Sequence, residues 1–166
     1  TLSEATRDFV NELFGEYGLV IMDSNDKYLK QKLIPIMKED IIHQSLAPVI
    51  KKNSDINSKL YKNQAFVRNI NFFKISEGKR ERVLESVSEN EIDNNPEKFS
   101  PNVLIRPLYQ ELILPNLCYV GGGAEISYWM QLKSVFHQQD IVFPILLLRN
   151  SVMWIEEKDY KKINNL

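Results

Sequence analysis

The chain has 166 residues, of which 43% are hydrophobic and 26% charged, a balance that builds a packed core and excludes a wholly disordered polymer. At this length roughly two thirds of the unfolded surface can be buried, so one core needs neither disulfides nor metals. Lys and Arg total 21 against 22 Asp and Glu, with the two signs interspersed along the chain, which excludes the one-signed face that DNA or RNA binding requires.

The opening TLSEATRDFV lacks the basic start and apolar centre of a secretory signal, and reads instead as a helix. Thr1 and Glu4 form a T-x-x-E capping box, followed by Ala5, Phe9, Leu13 and Phe14 at helical spacing until Gly15 and Gly18; this predicts an amphipathic helix. Leu19 to Met22 is a continuous apolar run closed by Asp23 and reads as a strand, with Ser24, Asn25 and Asp26 supplying turn and N-cap chemistry for a second helix. From Lys27 to Ile50 the periodicity stays helical, but Pro35 and Pro48 predict interruptions, because proline removes a backbone donor and crowds the preceding turn. Gln64 to Val67 and Ile70 to Ile75 are β-branched and aromatic, and Ser76-Glu77-Gly78-Lys79 leads into Arg80 to Leu84, which predicts a β-hairpin.

Residues 85–98 are rich in Ser, Glu, Asn and Asp and predict a solvated connector. Ser100 with Pro101 predicts a helix start, continuing through Leu114 despite Pro107. Asn116 to Val120, Ala124 to Gln138 and Pro144 to Leu148 then predict strand, helix and strand, a βαβ unit with fully buried strands. The run from residue 141 to 148 is the longest apolar one, is broken by Pro144, and falls far short of the about twenty residues that cross a bilayer, so no membrane segment is expected. Cys118, the only cysteine, predicts a buried, inert thiol and no internal disulfide, in keeping with a cytoplasmic location.

Chemistry concentrates where the first strand of that βαβ unit meets its helix. Gly121-Gly122-Gly123 permits close approach of backbone N–H groups to a phosphate or carboxylate. The bland reading is a tight turn packing helix on strand; Ile126 stands where G-x-G-x-x-G needs its third glycine, and no Walker lysine follows. Glu125, in the first helical turn, is an ionised acceptor for an ammonium or hydroxyl, or merely a helix N-terminal charge. Tyr128 and Trp129 form either a stacking wall or core. Arg106, on an otherwise apolar helix, balances a ligand carboxylate or phosphate, or pairs internally with Glu111 or Glu125. Asn102 and Gln110 supply neutral hydrogen bonds, or cap and solvate that helix. His43 and His137 stand apart without Cys or Asp at metal-ligand spacing, so no metal site is readable, and no catalytic base can be named.

Five segments, GLVIMD, FVRNINFFKISEGKRERV, FSPNVLIRPLYQELILP, YVGGGAEISYW and PILLLRNSV, resemble, in collinear order over nearly the whole chain, the cysteine-adding ligases of bacillithiol biosynthesis. The resemblance implies an α/β, Rossmann-like core of the nucleotidyltransferase type with a β-hairpin-containing insertion. On that basis residues 1–84 are the α-β-α segment with its hairpin insertion, 85–98 the connector, 99–155 the βαβ portion of the core, and 156–166 the start of a longer helix. It further implies a ligase joining L-cysteine to glucosaminyl malate in the last step of bacillithiol formation, with ATP as the cofactor in question and a homodimer held by a coiled coil in the full-length protein. Within the family pattern this chain resembles the middle portion, inactive alone, and it departs from that pattern at Gly123, where proline is frequent, and in short segments at 55–61 and 85–98. The substrate-binding residues then expected are Asn102, Arg106, Gln110, Gly121, Gly122, Gly123, Glu125, Tyr128 and Trp129. Two other functions fit the residues: an assembly module supporting a catalytic centre elsewhere, and a stand-alone nucleotide-binding module. An open cavity between the Gly121 loop and the Arg106 helix favours the enzyme; an occluded loop favours the scaffold.

Overall fold

In the computed structural model, which describes residues 1–164, the chain opens with α1 (Leu2–Phe14), capped by the reciprocal Thr1 and Glu4 bonds and followed by Gly18 at φ 78°. Its apolar stripe is unpacked, with Phe9 at 65% exposure. The strand expected at 19–22 does not form. Among the described residues no strand pairs with this segment, and apolar β-formers without a neighbouring ladder remain irregular chain. Asp26 caps α2 (Lys27–Lys32) by accepting from Leu29 N–H. The break near Pro35 is present: α2 ends at Lys32 with Leu33 as its C-cap, Pro35 enters the first turn of α3 (Ile34–Met37), and a π-helical turn continues over Lys38–Ile42. Pro48, expected to interrupt, instead sits in the first turn of α4 (Leu46–Asn57), where its missing donor would be unpaired anyway. The interruption lies earlier, at Gln44 with φ 51°.

The hairpin consists of β1 (Phe72–Ser76) and β2 (Lys79–Arg82), antiparallel with Ser76 opposite Lys79. Glu77 and Gly78 both take positive φ, 49° and 73°, the two-residue turn whose twist matches that of the flanking strands. Residues 64–67, expected as strand, carry no ladder. The connector is more structured than its composition indicates: Ser88 caps α5 (Glu89–Asn94), and Ile92 is fully buried. One apolar side chain at the right register docks an otherwise polar helix. The helix start expected at Ser100 is replaced by β3 (Phe99–Pro101), which pairs antiparallel with β1. The free edge of β1 claims these residues, and the capping role passes to Asn102, whose Oδ1 accepts from Leu104 and Ile105 N–H at 2.8 and 3.2 Å. Helix α6 (Arg106–Ile113) follows, with Pro107 in its first turn.

Asn102 belongs to a buried chain of hydrogen bonds. Its Nδ2 donates to Asn71 Oδ1 at 3.0 Å, and Asn71 donates N–H and Nδ2–H to the two Asp40 oxygens at 2.5 and 2.9 Å. Burial raises the Asp40 carboxyl to about 6 against the lowering pull of those bonds, because a buried carboxylate is stable only to the extent that donors replace its water.

The last third holds β4 (Cys118–Gly121), α7 (Gly123–Trp129), α8 (Lys133–Gln138) and β5 (Ile145–Leu148), with β4 and β5 parallel. The single helix expected here is two, separated at Met130–Leu132. The strands are not fully buried: Val120, Ile145 and Leu148 are 60–67% exposed, since a two-stranded sheet has helices to cover only part of its surface. Cys118 is half-buried. Trp129, fully buried, stacks on Tyr119 at 4.2 Å and contacts Phe136 and Phe143, joining the βαβ unit to the core formed by Leu33, Phe72, Phe99, Leu104 and Leu108. A Cβ at Gly121 would lie 2.7 Å from the Tyr119 ring, which that stack prevents from yielding. The tail forms α9 (Glu157–Ile163); residues 165–166 of the expected terminal helix lie outside the described residues. No helix among the described residues is long and apolar enough to cross a membrane.

Two stability measurements check this packing. Gly121→Ala is expected to lower unfolding stability by about 1–3 kcal/mol, whereas Gly123→Ala, where a Cβ meets nothing within 4 Å, changes it by under about 0.5 kcal/mol; equal losses in urea titrations would contradict the contact. For Asp40, a folded pKa near 6 above the ordinary 3.8 means the native state holds the proton more tightly, so its contribution is full below the unfolded value and declines as pH rises through about 6. Wild type should therefore lose about 1–3 kcal/mol relative to Asp40→Asn between pH 4 and pH 7, and a pH-independent difference would refute the burial argument.

Candidate functional site

The C-terminal ends of β4 and β5 meet at Gly122, the position where parallel α/β sheets hold ligands. Local sequence explains the arrangement. Gly121 ends the strand, Gly122 turns it, and Glu125 closes a capping box by accepting Gly122 N–H at 2.9 Å. The other Glu125 oxygen accepts the Tyr119 hydroxyl at 3.0 Å. These bonds, the Gly122 N–H first and Tyr119 next, hold the Glu125 carboxyl below the usual carboxylate range, with Arg106 and Arg149 adding positive charge nearby.

Arg106, half-buried at the first position of α6, finds neither of the carboxylates considered for it. It donates to Gln110 Oε1 at 3.0 Å and to the Tyr128 hydroxyl at 2.7 Å. Burial pulls its pKa down, but the Tyr128 and Tyr119 hydroxyls outweigh that and raise it, so the guanidinium stays charged with neutral partners. Glu111 is buried and occupied elsewhere, accepting from Gln110 and twice from Asn116.

The structure thus brings together Arg106, Gln110, Gly122, Glu125 and Tyr128 in one polar cluster. Gly121 stands behind it as the close-approach position, and Gly123 faces open space. Asn102 is not part of it, since its amide is spent on Asn71, Leu104 and Ile105. Trp129 is core and lends the cluster only the ring face under Tyr119.

Two residues that the sequence reading missed complete the arrangement. Tyr119 hides in an apolar strand. Arg149 directly follows β5, and its guanidinium lies 3.2 Å from where a Gly122 Cβ would stand. The only available signal was position: the first polar residue after a parallel strand falls at the ligand-binding edge. Beside Arg106 and Gln110 opens a cavity of about 550 Å³, which extends toward α2 and the hairpin; the three glycines do not line it.

The sequence matches the family described as bacillithiol biosynthesis BshC, N-terminal Rossmann-like domain, over residues 1–150. A Flavobacterium johnsoniae protein named "Putative cysteine ligase BshC" is 44% identical over 181 residues, covering 99% of this chain and 34% of its own length. Proteins of the same name from Christiangramia forsetii and Cytophaga hutchinsonii are 46% and 37% identical, covering 92% and 90% of this chain and 32% of each relative. The chain spans about a third of the length of the curated relatives it matches. With a mixed α/β architecture and a match over most of its length, the chain belongs to the BshC family of bacillithiol biosynthesis, within its Rossmann-like domain.

Proposed function

We propose that this chain is the substrate-holding Rossmann-like part of a ligase that adds L-cysteine to glucosaminyl malate, the amide-forming last step of bacillithiol formation. The observation that carries the reading is the polar cluster at the ends of β4 and β5: an ionised carboxylate, Glu125, fixed between a hydroxyl and a backbone N–H, with two guanidiniums, Arg106 and Arg149, outside salt-bridge reach of any acid among the described residues. Such a pair of opposite charges suits a substrate that carries both an ammonium and a carboxylate, as cysteine does.

A carboxylate is a poor electrophile, and amide formation needs donors placed where negative charge develops. In this reading Glu125 anchors the cysteine ammonium, Arg106 turns its carboxylate toward the acceptor amine, and the Tyr128 hydroxyl keeps Arg106 in place. ATP, if it is used, would supply the leaving group. Arg149 together with the exposed backbone at Gly123 and Ala124 fits a phosphate, since a planar guanidinium can donate to two phosphate oxygens at once and no Cβ obstructs the approach at Gly123.

The assembly-module reading draws support from two features: the glycine turn does not line the cavity beside Arg106, with Gly121 and Gly122 buried and the Gly122 N–H, expected as an anion donor, spent on Glu125, and the apolar surface of β4 and β5 is exposed, which suits packing against further chain. The two readings separate in the full-length protein. Arg106→Ala and Glu125→Gln, each with an unchanged thermal melt, are expected to lower formation of the thiol amide by about 10²-fold, measured by mass spectrometry of the product; turnover equal to wild type in both variants would leave the assembly role in possession.

A further inference from the structure

Gln131 lies fully buried in the break between α7 and α8, outside the polar cluster. Its Oε1 accepts Ala65 N–H at 3.2 Å, and its Nε2 donates to Ala65 O at 3.2 Å and to Ser54 Oγ at 2.7 Å. Ser54 Oγ spends its own proton on Ile50 O at 2.8 Å, so toward Gln131 it can only accept, and this fixes which way the amide faces. Asn53 and Asn57, also on α4, donate to Met130 O at 3.0 and 2.9 Å. The end of α7 is therefore tied to α4 by directional bonds as well as by apolar packing.

Ala65 begins a strap of irregular chain that ends at Asn71. Among the described residues no strand pairs with 65–70, so the strap is set by its ends: by Gln131 at Ala65, and by Asp40 and Asn102 at Asn71. Asn71 also braces the strap from within, accepting Arg68 N–H at 3.3 Å and donating to Arg68 O at 2.8 Å. Beyond Asn71 the bonds run on into the candidate site. Asn102 O accepts Arg106 N–H at 2.9 Å, Arg106 donates to the Tyr128 hydroxyl at 2.7 Å, and Tyr128 O accepts Gln131 N–H at 3.1 Å. The path from Gln131 through Ala65, Asn71, Asn102, Arg106 and Tyr128 is a closed circuit. It holds the head of α6, which carries Arg106, against α7, which carries Glu125. Buried hydrogen bonds of this kind are satisfied in one arrangement and costly in others, so the circuit fixes how far the guanidinium stands from the carboxylate.

We propose that Gln131 is a positioning residue for the amino-acid substrate: it touches no substrate, but through the 65–71 strap and Tyr128 it sets the span between Arg106 and Glu125. An amino acid that is gripped at both its ammonium and its carboxylate is read by that span, whereas the acceptor is not. The assignment deepens the ligase reading and rests on it for the identity of the substrate; the mechanical link from Gln131 to the head of α6 stands on the bonds alone.

Gln131→Met in the full-length protein tests it, since methionine keeps the length of the side chain and removes its three bonds. Misplacing an orienting group by about 1 Å costs roughly a hundredfold, so the smaller loosening here is expected to raise KM for cysteine about tenfold while KM for glucosaminyl malate stays within about twofold. In an Arg106→Ala background the same substitution should change the cysteine KM by under about twofold, because the group that it positions is gone. Hydrogen exchange supplies a readout that needs no activity. Leu104 and Ile105 N–H, held by Asn102 on the far side of the circuit, should exchange about tenfold faster in Gln131→Met. Ser134→Ala, which removes a bond from α8 to Asn53 Oδ1, should leave every one of these quantities within about twofold. If Gln131→Met does not fold, Ser54→Ala, which takes away the group that orients the amide, decides by the same measurements with shifts of about threefold. Equal rises in both KM values, an undiminished effect in the Arg106→Ala background, or faster exchange confined to Ala65 would overturn the proposal. A full-length protein that forms no amide sinks the ligase reading alone, and exchange at Leu104 and Ile105 then decides whether the circuit transmits.

Discussion

The buried chain from Asp40 through Asn71 to Asn102 is the constraint on which the rest of the molecule depends. It joins three segments far apart in sequence: a π-helical turn, the approach to β1, and the loop that launches α6. Apolar packing alone is tolerant of small slides, but hydrogen bonds in a low-dielectric interior are satisfied in one arrangement and costly in any other. Because Asn102 holds the N–H groups just before Arg106, the network sets where α6 begins and therefore where its guanidinium stands.

From that anchor the site follows by short steps. Arg106 at the head of α6 meets Tyr128 from α7; Tyr119, from the strand before α7, meets Glu125 on its first turn. Neutral hydroxyls intervene between the charges, so neither guanidinium nor carboxylate is consumed by the other. A direct internal ion pair would have been the cheaper resting state in electrostatic terms, and its absence is what makes the cluster readable as a place for something else.

The local grammar of the chain was legible. The capping box at Thr1 and Glu4, the Glu77-Gly78 turn and the strand–glycine–helix order around Gly121 each depend on residues within a few positions of one another, and each formed where expected. What failed was decided by distant partners. Ser100-Pro101 carries helix-start chemistry, yet the open edge of β1, nearly thirty residues earlier in the chain, recruits it as a strand. Leu19 to Met22 has strand composition without a ladder to join. Asn102 admits two roles in the sequence, ligand-facing amide or helix cap; the structure takes the cap, and the partner that fixes it, Asn71, is 31 residues away.

Tyr119 has a consequence for how the molecule reports on itself. Its ring lies flat against the indole of Trp129 while its hydroxyl holds Glu125, so one rigid side chain spans the apolar interior and the charged rim. Any molecule that displaces the Tyr119 hydroxyl must tilt the ring, and the indole emission, sensitive to what stacks upon it, would change with it. The second tryptophan, Trp154, is 91% exposed and emits at the longer wavelengths of a hydrated indole, which leaves the blue side of the spectrum to Trp129 as a built-in optical gauge of occupancy.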